Sequence, residues 1–146
     1  MKTFPKALKE RVYESIKLFN EKYPEFDICI VGSMSMYLQD IDYKYPHDID
    51  IIILNKDLSE DDYIKYKDEI FLMCWKKTGL KIDLRPYTET EYIHINLFNM
   101  DIKCCTLKNY IKHTEFIYNQ YKSELYMDKL TRLKHLENEK FEKTNI

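Results

Sequence analysis

Two carboxylates lead into an apolar run in this chain: Asp48-Ile49-Asp50 opens directly onto Ile51-Ile52-Ile53-Leu54. Upstream, Gly32-Ser33 closes another apolar run, Ile28-Cys29-Ile30-Val31. A third carboxylate, Asp83, sits inside Leu80-Lys81-Ile82-Asp83-Leu84. Charges are rarely set in would-be buried strands without a partner. Three of them, two separated by a single residue, point to a divalent cation, and the Gly-Ser turn before them points to a phosphate. Together they point to chemistry on a nucleotide.

The 146 residues suit one domain, and a hydrophobic content of 45% supplies a core. A formal charge of −2 gives no footprint for tight, nonspecific nucleic-acid binding, although a local basic groove is compatible with it. No apolar stretch approaches the ~20 residues of a membrane span. Met1-Lys2-Thr3-Phe4-Pro5-Lys6 lacks the apolar core of a signal peptide. Cys29, Cys74, Cys104 and Cys105 lack zinc spacing and read as small buried hydrophobes. A cytoplasmic location is expected, where thiols stay reduced.

Periodicity predicts a helix over about residues 4–22, with Leu8, Val12, Ile16 and Phe19 on one face, Thr3 as cap and Pro5 in the first turn. A buried strand over 28–31 follows. Next comes a short helix over 33–41 with Met34, Tyr37, Leu38 and Ile41 inward, then a loop over 42–47 held by Pro46. Residues 48–54 read as the next strand. Ser59 starts a helix whose first turn carries Glu60, Asp61 and Asp62, where the dipole favours negative charge. Its expected apolar side is Tyr63, Ile64, Ile70, Phe71 and Cys74, and Lys76, Lys77 and Gly79 end it. Strands are expected over 81–87, 92–98 and 101–106.

The remainder is helical, about 107–141. One stripe runs through Leu107, Tyr110, Ile111, Thr114, Ile117, Tyr118 and Tyr121, and a second through Tyr126, Leu130, Leu133 and Leu136, with room for a break near Ser123. The charged tail from residue 137 onward is expected to fray. The order α-β-α-β-α-β-β-β-α-α indicates an α+β or α/β domain built on a mixed sheet.

Side chains alternate along a strand, so Asp48 and Asp50 are expected on one face with Ile49, Ile51 and Ile53 on the other. Asp83 joins them if its strand pairs beside theirs. Mg²⁺ prefers hard oxygen ligands, few carboxylates and substrate phosphates, and a cation would explain how three carboxylates coexist. At Gly32-Ser33 a strand turns into a helix, so backbone N–H groups and the Ser33 hydroxyl can face phosphate oxygens.

In the order strand, Gly-Ser, helix, Asp-x-Asp strand, helix, strand with Asp, the chain resembles the nucleotidyltransferase superfamily, whose fold is shared with the DNA polymerase beta catalytic domain. The resemblance covers roughly residues 4–106, and the C-terminal helices resemble those of small stand-alone members. The spacer over 34–47 is slightly longer than in many members. The resemblance implies a nucleoside triphosphate such as ATP with its phosphates on Gly32-Ser33. It also implies two Mg²⁺ on Asp48 and Asp50, and Asp83 ligating the acceptor-side metal or helping to take the hydroxyl proton. A nucleotidyl group would pass to an acceptor hydroxyl with release of pyrophosphate. The family's acceptors include proteins, tRNA ends and small hydroxylated molecules such as aminoglycosides, and the weak net charge disfavours a long nucleic acid.

Arg85, two residues past Asp83 and on the same strand face, either grips a phosphate or pairs with Asp83. His47, Lys103 and Lys108 read as solvated side chains. Two rival readings remain open on the same residues. One is a catalytically silent nucleotide- or partner-binding protein on this fold. The other is an interaction module whose C-terminal helices bind a partner or self-associate.

Overall fold

The structure is a computed structural model that describes residues 7–144, with side chains through residue 139. Its elements run α1 (Leu8–Lys22), β1 (Ile28–Val31), α2 (Gly32–Leu38), β2 (Ile49–Ile53), α3 (Glu60–Phe71), α4 (Trp75–Thr78), β3 (Ile82–Leu84), β4 (Tyr92–Leu97), β5 (Met100–Cys105), α5 (Leu107–Tyr121) and α6 (Glu124–Thr144). The five strands form one mixed sheet in the order β3-β2-β1-β5-β4. β1 runs antiparallel to β2 and parallel to β5, β2 runs parallel to β3, and β4 and β5 form an antiparallel pair. This is the expected α+β architecture with C-terminal helices.

Period two explains how the sheet is covered. Ile49, Ile51 and Ile53 of β2, Ile30 of β1 and Ile82 and Leu84 of β3 enter one core with Val12, Ile16 and Phe19 of α1 and Ile70 of α3. The alternate residues Cys29, Ile52 and Cys105 enter a second core on the opposite face, with Tyr110 and Ile111 of α5 and Leu130 and Leu133 of α6. β2 is therefore apolar on both sides, as an interior strand must be. Asp50 and Asp83 share the face that α5 and α6 cover, because each lies between residues committed to the other face.

Several elements depart from expectation. α1 begins at Leu8 after an extended Ala7, whereas Thr3 and Pro5 lie outside the described residues. β2 begins at Ile49, so Asp48 stands just before the strand and is exposed. Of the apolar side expected for α3, Tyr63, Ile70 and Cys74 pack inward, but Ile64 is 50% exposed and Phe71 37%, and Tyr66 packs on the core in their place. Tyrosine supplies a large apolar ring and a hydroxyl that needs a partner, and Tyr63 finds one in the Leu84 carbonyl at 2.9 Å. Tyr121, expected on the inward stripe of α5, is 70% exposed. α5 ends where Lys122 takes a left-handed conformation (φ 51°), which places the break beside Ser123. α6 then continues through Thr144 where fraying from residue 137 was expected.

Candidate functional site

β1 and β2 lie side by side with Val31 opposite Asp50, so the turn that leaves β1 stands over the start of β2. Gly32 makes that turn with φ +71°, in the left-handed region that disfavours side chains. A Cβ there would stand 3.0 Å from Asp50 Oδ2. The Gly-Ser turn thus brings bare backbone against a carboxylate. α2 is fixed beyond it by Ser35, whose hydroxyl donates to the Cys105 carbonyl at 2.7 Å, and by Gln39 Nε2, which donates to the same carbonyl at 2.8 Å.

A cleft of about 480 Å³ opens at this end of the sheet. Gly32, Ser33 and Asp50 form its floor, Lys44 and Arg85 flank it, and α5 and α6 supply a wall that includes Asn109, His113, Tyr110, Tyr126 and Lys129. Asp50 is partly buried, and burial pushes its carboxyl up to about 6. Arg85 and Lys129 oppose that rise, while Asp83 and Asp48 add to it. The ammonium of Lys129 lies 5.0 Å from the Tyr110 ring centre and 5.6 Å from that of Tyr126. Burial lowers its pKa, and the neighbouring Lys44 and Arg85 charges lower it further. His113 is likewise pushed down by burial and then by Lys129 and Arg85, which favours the neutral imidazole. The cleft therefore sets several cationic side chains against a single carboxylate, in a chain whose net charge is −2.

The register of β2 and β3 places Asp83 directly beside Asp50. Asp83 nevertheless does not line the cleft, and both its oxygens are engaged: Lys67 Nζ donates to Oδ1 at 2.8 Å and Arg85 Nη1 to Oδ2 at 3.3 Å. Asp48 also lies outside the cleft lining. Among the described residues no three His, Cys, Asp or Glu side chains gather to hold a metal ion. The expected three-carboxylate set is thus brought together by its strands but not assembled by its side chains. Mg²⁺ commonly takes one or two carboxylates together with substrate phosphates. The carboxylates of Asp50 and Asp48, which make no hydrogen bond or ion pair among the described residues, suit that smaller set.

Of the two roles weighed for Arg85, pairing with Asp83 is made, and the same side chain also borders the cleft. His47 and Lys108 are exposed, and Lys103 is tied to Asp27 at 2.6 Å. Lys67, Lys129, Lys44 and His113 carry no sequence signal of their own, since long-range packing alone places them.

No described helix is long and apolar enough to cross a membrane. No protein-family model matches the chain, and the search of curated proteins gives no match. Among solved structures, an antigenic nucleotidyltransferase-like protein from Paracoccidioides brasiliensis is similar with a TM-score of 0.52 at 10% sequence identity, over 86% of this chain and 75% of that one. A likeness at that identity speaks to the fold alone, and this chain carries a nucleotidyltransferase-like fold.

Proposed function

We propose that the chain is a metal-dependent nucleotidyltransferase that moves a nucleoside monophosphate from a nucleoside triphosphate to an acceptor hydroxyl, releasing pyrophosphate. What supports this most is the placement of Asp50: a partly buried carboxylate against the Gly32 backbone, facing a cleft flanked by Lys44, Arg85 and Lys129. In this reading the cations and the Gly32-Ser33 turn hold the triphosphate, and Asp50 with Asp48 holds the Mg²⁺ that arrives with it. Bound there, Mg²⁺ would activate the acceptor hydroxyl and stabilise the departing pyrophosphate. Asp83 is the third carboxylate of the set, next to Asp50 in register. The wall of α5 and α6 would shield the reacting groups from water and present Asn109 and Tyr126 to the nucleoside or the acceptor.

Thermal unfolding with each nucleoside triphosphate, with and without Mg²⁺, tests the reading. A ligand that binds the native state raises the midpoint by mass action. The expected result is a rise that needs Mg²⁺ and disappears in Asp50→Ala. No rise with any nucleotide would sink the proposal.

One observation favours a second reading, a nucleotide-binding protein without turnover: Lys67 and Arg85 already occupy Asp83. Nucleotide binding that is indifferent to Mg²⁺, with no pyrophosphate released in the presence of any acceptor, would choose it.

A further inference from the structure

Lys67 comes from α3, which is pinned to the β3 edge of the sheet. Ser59 caps the helix by accepting from the Asp62 N–H at 3.1 Å, and Tyr63 donates to the Leu84 carbonyl at 2.9 Å. One turn after Tyr63, Lys67 Nζ reaches Asp83 Oδ1 at 2.8 Å and the Leu84 carbonyl at 3.2 Å. The backbone register sets Asp83 beside Asp50, yet Asp83 is absent from the cleft lining. Arg85 holds the other oxygen more loosely, at 3.3 Å, with a half-exposed side chain. An ammonium thus already stands at one oxygen of the third carboxylate, donating both to it and to the backbone.

We infer that Lys67 is an internal counter-ion that competes with a divalent cation for Asp83, so that the third carboxylate joins Asp50 only when Lys67 gives way. Lys67 acts through Asp83 and is a positioning residue. Its side chain is 39% exposed, which leaves it a path to solvent when displaced. The inference rests on the reading that these carboxylates take a divalent cation. Its particular content is that the chain supplies its own competitor for one of them.

The test is Mn²⁺ binding alone, without nucleotide, followed by electron paramagnetic resonance or calorimetry. The proteins are the wild type, Lys67→Met, Lys67→Arg, Asp83→Asn, the Lys67→Met/Asp83→Asn double variant and Asp50→Asn. Lys67→Met should bind Mn²⁺ on the order of tenfold more tightly, the gain expected if the competent state is populated about one time in ten in the wild type. Lys67→Arg keeps the counter-charge and should stay close to the wild type. The gain should vanish in the double variant, since Lys67 acts only through Asp83. Should Lys67→Met fail to fold, Lys67→Gln makes the same comparison.

An equal gain with and without Asp83 would reveal a general field effect and overturn the inference, as would no gain at all. If Asp50→Asn abolishes binding while Lys67→Met changes nothing, the inference falls and the cation reading stands. If the Lys67–Asp83 coupling persists while Asp50→Asn binds like the wild type, Asp83 takes the cation apart from Asp50, which overturns the inference and leaves the proposed reaction without its metal. No Mn²⁺ binding in any variant would overturn both.

Discussion

Gly32 and Asp50 are placed so that a side chain on the first would press on the second: a Cβ at Gly32 would lie 3.0 Å from Asp50 Oδ2, on a backbone already at φ +71°. Gly32→Ala therefore meets two penalties. The left-handed conformation costs about 1–2 kcal/mol for a residue with a Cβ. The close approach adds to it unless the carboxylate moves. Urea unfolding should show Gly32→Ala destabilised by about that amount or more, and by less in an Asp50→Ala background, where only the backbone penalty remains. Equal losses in both backgrounds would show that the two residues do not press on one another.

Asp50 is also where function and stability oppose each other. Its carboxyl is raised from 3.8 to about 6 in the folded chain, mainly by burial. The native state thus holds this proton more tightly than the unfolded chain does. Asp50 supports folding fully at pH values below its unfolded pKa, and this support is lost as pH rises through about 6. Asp50→Asn removes the ionised form and should gain up to about 3 kcal/mol at pH 8. That gain should shrink toward zero near pH 4, and the Mg²⁺-dependent nucleotide shift should be lost. Urea midpoints for both proteins across this range check the sign. A variant less stable than the wild type at pH 8 would contradict it.

The strands that hold the carboxylates were legible because their signals are local. Residues 49–53 are buried on almost every position, and an uninterrupted apolar run is what an interior strand requires. Gly32 was legible because a positive φ at a strand-to-helix turn selects glycine. The side expected of α3 holds for Tyr63, Ile70 and Cys74 and fails for Ile64 and Phe71: these outrank tyrosine in hydrophobicity, yet the core takes Tyr66 beside Tyr63, which is hydrogen-bonded to β3. Lys67 was invisible for a different reason. Its partner Asp83 belongs to another element, and no periodicity relates one lysine among many to a carboxylate across a turn.

The α5–α6 wall should depend on Leu133, which is fully buried in the core between these helices and the sheet. Leu133→Ala should cost about 2–5 kcal/mol through lost burial and a cavity. Because the same helix carries Lys129 into the cleft, the nucleotide-dependent rise in melting temperature should weaken too. A large stability loss with the nucleotide response intact would separate the wall from the site.

Lys129 should behave in the opposite way, mattering for binding and little for folding. Its ammonium is partly buried, has no carboxylate within ion-pair distance among the described residues, and rests near the rings of Tyr110 and Tyr126. Burial and the nearby Lys44 and Arg85 charges lower its pKa, so its charged form opposes folding. Removing that charge relieves the penalty, while the lost aromatic contacts cost about 0.5–1 kcal/mol. Lys129→Met should therefore unfold within about 1 kcal/mol of the wild type. A triphosphate in the cleft would pair with this charge away from bulk water, where a charge-assisted hydrogen bond contributes about 1.5–3 kcal/mol. Nucleotide affinity measured by calorimetry should accordingly fall by roughly tenfold or more, while a nucleoside without phosphates should bind both proteins alike. Equal loss for nucleoside and nucleotide would mean that Lys129 shapes the wall and does not read the phosphates.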